Sequence, residues 1–130
     1  MVLTIGIWPD ADKSPVWNEV VRLLEPAAKF GGCEVDLSDH AECWTVHDGG
    51  ELIGAATVRL CVDGQANVHL VGGRDAREWI RPLDQMIGEW ARLEGCNRLT
   101  ASGRRGWKRV LGWDVVGERD GMTAYERRLG

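Results

Sequence analysis

Residues 66–111 read ANVHLVGGRDAREWIRPLDQMIGEWARLEGCNRLTASGRRGWKRVL, and this stretch decides the fold. Gln65 to Val71 alternates as a strand, and Gly72-Gly73 reads as a turn. Apolar residues then recur at Trp79, Ile80, Leu83, Met86, Ile87, Trp90 and Ala91, the i, i+3, i+4 spacing of one amphipathic helix. Gly95-Cys96 stops that helix, Asn97 to Ala101 reads as a second strand, and Gly106 to Leu111 as a short helix. Strand, helix, strand implies a parallel pair joined by a crossover. A strand that opens through glycines into a helix leaves unsatisfied N–H groups at the helix start, which suits an anion. Arg74, Arg77 and Arg81 sit at that turn, and Arg104, Arg105, Lys108 and Arg109 follow the next strand. The pattern predicts a site for an anionic, nucleotide-like ligand. The plain alternative is that any α/β crossover has a glycine turn and a charged helix surface, and the local motif alone is weak.

Pro82 leaves two readings of the long helix. Either it starts at Asp75 and kinks, or Asp75 to Ile80 is a separate turn and the main helix starts near Arg81. An interior proline costs about 3 kcal/mol, which favours the second. Asp75 and Glu78 have capping-box spacing. Upstream, Val2 to Trp8 reads as a short strand. Ser14 is placed to cap a helix that Pro15 begins, with Val16, Val20, Leu23 and Leu24 as its apolar stripe. Pro26 either ends this helix or starts a new turn. Glu42 to His47, Glu51 to Val62 and Gln65 to Val71 are joined by Asp48-Gly49-Gly50 and Asp63-Gly64, so they form an antiparallel meander. Trp113 to Val116 and Thr123 to Leu129 form a last hairpin across Asp120-Gly121.

At 130 residues the chain is expected to be a single domain, 1–130, with a real core. Seven tryptophans are the one unusual feature of composition, and most are expected to be buried or half-buried. No apolar run is long enough to cross a membrane. Met1 to Trp8 lacks the basic start and apolar stretch of a signal peptide, so a cytoplasmic location is expected by default. Cys33, Cys43, Cys61 and Cys96 are widely spread and form no C-x-x-C pair, and the histidines show no H-x-x-x-H spacing. Free, mostly buried thiols are expected, and no metal. The net charge of −4 hides an asymmetry: residues 1–65 balance at −7 and residues 66–130 at +3. The basic half carries the glycine turn. The overall acidity disfavours a nucleic-acid binder.

The order of elements, and three passages, resemble the GNAT superfamily of N-acetyltransferases. Glu51-Leu52-Ile53-Gly54-Ala55-Ala56 is similar to the family's x-L-I/V-G third strand. Glu89-Trp90-Ala91-Arg92-Leu93-Glu94-Gly95-Cys96 is similar to the end of its acetyl-CoA-binding helix. Leu111-Gly112-Trp113, followed by a strand, is similar to the start of its sixth strand. The resemblance implies an α/β (mixed α+β) fold: a central, mixed, mostly antiparallel sheet of six or seven strands with about four helices. It implies an acyl-CoA-dependent N-acyltransferase that uses acetyl-CoA and a small-molecule or peptide amine acceptor. The Gly103-Arg104-Arg105-Gly106-Trp107 passage resembles small GNAT-like proteins of tailed phages and prophages. That likeness implies the alternative of a catalytically inactive binding or structural protein.

The family's pyrophosphate loop is Q/R-x-x-G-x-G/A, and here those positions fall on Asp75, Glu78 and Ile80. No tyrosine stands in Trp107 to Val110, ahead of Gly112-Trp113. Both departures imply weak activity. On this resemblance Val71 supplies the amide that polarises the thioester carbonyl, and Gly72, Gly73, Arg74, Arg77, Arg104 and Arg105 hold the cofactor. His69, on one strand face with Asn67 and Val71, is the candidate base. Ser102 and Tyr125 are candidates to assist the leaving thiolate. The competing readings are a polar strand residue for His69, a core aromatic with a satisfied hydroxyl for Tyr125, and a solvated helix start for Arg104 and Arg105. Seven tryptophans also leave room for an apolar patch and a homo-oligomer.

Overall fold

The computed structural model describes residues 2–8, 15–31, 42–61, 63–104, 106–119 and 121–130. Its elements are β1 (Leu3–Trp8), α1 (Trp17–Phe30), β2 (Glu42–Asp48), β3 (Glu51–Leu60), β4 (Gln65–Gly73), α2 (Ala76–Leu93), β5 (Arg98–Gly103), α3 (Gly106–Leu111), β6 (Asp114–Arg119) and β7 (Met122–Arg128). The strands form one seven-stranded sheet in the order β1-β2-β3-β4-β5-β7-β6. β4 and β5 pair parallel, and the β1–β2, β2–β3, β5–β7 and β6–β7 pairs are antiparallel. This is the mixed, mostly antiparallel sheet expected from the sequence. Three helices, where about four were expected, accompany it among the described residues.

The chain divides into two compact units, Met1–Arg59 with His69–Trp79, and Leu60–Val68 with Ile80–Gly130. In the first, α1 buries Val20, Leu24 and Ala28 against Cys43 of β2, Ala55 of β3 and Leu70 of β4. These are the i, i+4, i+8 positions of one helix face. Burial on β4 alternates from Gln65 to Val71, so Asn67, His69 and Val71 share the less buried face. In the second unit the β4–β5 register runs from Gln65↔Arg98 to Val68↔Ala101. Gln65, Asn67 and Thr100 are cross-linked there: the Thr100 hydroxyl donates to Gln65 Oε1 at 2.9 Å, and Asn67 Nδ2 donates to Thr100 Oγ1 at 3.1 Å.

Neither proline ends its helix: at Pro82 the reading of one helix starting beside Asp75 holds over the favoured separate turn, and at Pro26 the expected end or new turn gives way to a continuous helix. α1 runs through Pro26 to Phe30, and α2 runs from Ala76 through Pro82 to Leu93. Each proline removes one backbone hydrogen bond. Burial of Trp79, Ile80, Leu83, Ile87 and Ala91 along one face of α2 outweighs that loss. Val16 stands at the start of α1 with no side-chain cap, and Ser14 lies outside the described residues. The stop at Gly95 is as expected: with φ +91°, Gly95 donates to Arg92 O and Cys96 to Ala91 O, the paired bonds of a Schellman motif. Of the tryptophans, Trp44, Trp79 and Trp113 are buried, Trp17, Trp90 and Trp107 half-buried, and Trp8 exposed. Among the described residues no helix is long and apolar enough to cross a membrane.

Candidate active site

The predicted glycine turn is not a turn. Gly72 and Gly73 are the last residues of β4. A Cβ on Gly72 would stand 2.0 Å from the carbonyl oxygen of Leu23 in α1, and one on Gly73 would stand 2.2 Å from that of Ile53 in β3. Both glycines therefore permit close backbone approach, the structural use of glycine inside a strand. The chain turns one residue later, at Arg74-Asp75.

Arg74 is held on all sides. Its amide donates to Ile53 O at 2.9 Å, and its carbonyl accepts from the Trp79 indole N–H at 2.8 Å. Its guanidinium meets Glu51 Oε2 at 2.7 Å and Asp75 Oδ2 at 3.8 Å. The hydrogen bond from Arg74 draws the Glu51 carboxyl below its usual range. Asp75 takes φ +56°, a left-handed conformation that short polar side chains tolerate. α2 begins at Ala76; the Glu78 amide donates to Asp75 O at 2.9 Å, and the amides of Ala76 and Arg77 come before the first such bond of the helix. Arg77 and Glu78 are exposed on that first turn.

His69, two residues before the end of the Asn67–Val71 face, is half-buried. Burial first, and the Arg59 cation second, hold its imidazole below the usual range. It is therefore neutral at neutral pH, the form a base requires. His69, Val71, Gly72, Gly73, Arg74 and Arg77 all belong to the first unit.

Ser102, Arg104 and Tyr125 belong to the second. Ser102 sits in β5, half-buried, opposite Ala124. Tyr125 is buried, and its hydroxyl donates to Arg104 O at 2.6 Å, pinning the chain between β5 and α3. Arg104 is exposed, and Arg105 lies outside the described residues. Trp107 of α3 rests against Gly103. A groove of about 340 Å³ separates α2 from α3, where Arg81 Nε donates to Val110 O at 3.2 Å. Asp84, which lines it, is bound by Arg127.

The sequence reading missed Trp79 as a ligand of the turn. Its signal was Gly54, a lone glycine inside an apolar strand. A Cβ there would come within 2.5 Å of the Trp79 ring.

No protein-family model matches the chain, and no curated protein sequence matches it. Solved structures do. A candidate N-acetyltransferase from Lactobacillus plantarum is 19% identical over the whole of both chains, with a TM-score of 0.74. A Bacillus subtilis acetyltransferase in complex with CoA is 13% identical over 99% of this chain and 100% of its own, with a TM-score of 0.68. N-acetylglutamate synthase from Neisseria gonorrhoeae, complexed with coenzyme A and N-acetyl-glutamate, is 17% identical with a TM-score of 0.70. The match covers 98% of this chain but 35% of the synthase. The chain has the GNAT fold. Within this GNAT fold, the strand before the long helix is β4, and the turn after it is Arg74-Asp75.

Proposed function

We propose that the chain is an acyl-CoA-dependent N-acyltransferase of weak activity that acts on a small-molecule or peptide amine. The observation that carries this reading is the course of β4 within a GNAT fold. Its pairing with β5 ends at Val68, yet β4 continues to Gly73 and leads into the first amides of α2 between Arg74 and Arg77. The likeness to an acetyltransferase crystallised with CoA supports it.

The turn fits a pyrophosphate, held less firmly than by a run of glycine amides. The first-turn amides of α2 and the arginines Arg74 and Arg77 attract an anion. The exposed carboxylates of Asp75 and Glu78 oppose it, and the Arg74 amide is already given to Ile53. Acetyl-CoA supplies an activated acyl thioester. On this proposal the Val71 amide faces the charge that develops on the acyl oxygen, and neutral His69 takes a proton from the amine. Ser102 is the candidate proton source for the departing thiolate. Tyr125 commits its proton to Arg104 O, so its contribution is to fix the turn that presents Arg104. Arg104 and Arg105 are the candidates to hold a further phosphate of the cofactor by charge. The chain works in the cytoplasm as one domain.

A second reading, a GNAT-fold binding or structural protein without catalysis of the kind found in phages, is favoured by one observation. Glu51 and Asp75 already occupy Arg74. Free-thiol release from acetyl-CoA, measured across a panel of polyamines, amino acids and peptides, separates the two. Slow release lost in His69→Ala supports the transferase. Binding without release supports the second reading, and rapid release contradicts the weak activity inferred from Asp75 and Glu78.

A further inference from the structure

We propose that Trp79 is the positioning residue of the β4–α2 turn, doing with a side chain what glycines do in the loop that this sequence lacks. The inference rests on the reading of that turn as the acyl-CoA phosphate site. An anion held by main-chain amides needs a backbone fixed before the anion arrives, because ordering the turn on binding would cost affinity. Here the fixing points are visible. The Arg74 amide is tied to Ile53 O at 2.9 Å, and the Arg74 carbonyl to the Trp79 indole at 2.8 Å. With both main-chain groups of Arg74 spoken for, Asp75 is forced into its left-handed conformation and the first amides of α2 follow in a set direction.

Trp79 is suited to this role by burial and by shape. It has no solvent exposure. Its indole is a donor only, and a buried donor needs an acceptor. That acceptor is main chain of the turn, five residues back, so a core residue and the turn are ordered together. Gly54 makes the seat, since any Cβ there would collide with the ring. The glycine in β3 and the tryptophan in α2 are one device.

The test uses the whole chain. Trp79→Phe keeps an aromatic ring in the seat and removes the N–H. The variant is expected to unfold cooperatively, to exchange the hydrogen-bonded amides of Arg74 and Glu78 at least several-fold faster than the wild type, and to bind acetyl-CoA roughly fivefold more weakly, the loss of about one hydrogen bond. If Trp79→Phe fails to fold, benzothienylalanine at position 79 preserves the indole outline without the N–H and carries the same expectations. Unchanged amide exchange at Arg74 and Glu78 overturns the inference whatever the ligand does. Faster exchange with unchanged acetyl-CoA affinity overturns the claim that the turn serves binding. Wild-type protein that does not bind acetyl-CoA defeats the proposed function instead, and the exchange rates alone then decide whether Trp79 sets the turn.

Discussion

Gly72 lies against the carbonyl oxygen of Leu23, so close that a Cβ would fall 2.0 Å from it. The obstacle is helix backbone and cannot swing aside. Gly72→Ala should therefore cost at least ~3 kcal/mol of stability, in the range of severe core overpacking. Gly95→Ala is the control: it has open space around it and only its positive φ to lose, about 1 kcal/mol. Urea unfolding measures both. Equal losses would mean that α1 does not pack on β4 at Gly72.

In the second unit, Arg127 Nε and Nη2 each reach Asp84 Oδ1 at 3.2 Å, and Nη2 also donates to Asp84 O at 2.9 Å. The Asp84 side chain is only 14% exposed and the Arg127 side chain 30%. Burial pushes the Asp84 carboxyl above its usual range, although Arg127 pulls the other way. The folded state thus holds the Asp84 proton more tightly than the unfolded chain, and this group's contribution to stability falls as pH rises through that window. Arg127→Met leaves the carboxylate buried and unpaired, and should cost about 2–3 kcal/mol at neutral pH, less than for a fully buried pair. The deficit should shrink in acid, where Asp84 is protonated. Adding Asp84→Asn should recover part of it. A pH-independent deficit would show that Arg127 acts through packing alone.

Tyr125→Phe removes the bond to Arg104 O from a buried site. Thermal unfolding should register about 1 kcal/mol. An unchanged melting temperature would mean that the β5–α3 connection is held by something else.

His69 gives a pH signature. Its pKa is depressed, so the unfolded chain binds the proton more readily. The contribution to stability is whole above the ordinary imidazole pKa and is lost as pH falls through the folded value. If His69 is the base, the acid limb of kcat/KM lies below the usual imidazole range, and Arg59→Gln moves it up. An acid limb at or above the usual imidazole range removes His69 from the reaction.

The sheet was legible in the sequence because alternation, D-G turns and the Gly95 stop are local signals. The parallel β4–β5 pair followed from the crossover. The two prolines misled because an interior proline costs only what Trp79, Ile80, Leu83 and Ile87 return by burial, and that return is tertiary. Gly72-Gly73 misled for the same reason: a glycine needed for a turn and a glycine needed for close approach to Leu23 look alike in one dimension. The Trp79–Arg74 bond was invisible because it joins a helix residue to a main-chain group. The Tyr125–Arg104 bond spans 21 residues and was equally hidden.

On the proposed function, the Arg74–Arg77 turn holds the phosphates of acetyl-CoA. Calorimetric titration of wild type, Arg74→Ala/Arg77→Ala and Asp75→Gly with acetyl-CoA tests it most directly. Wild type should bind, the double variant should bind at least tenfold more weakly, and Asp75→Gly should bind more tightly, since it removes a carboxylate and suits φ +56°. A double variant that binds acetyl-CoA as well as the wild type, or a wild type that does not bind it, would exclude this turn as the phosphate site.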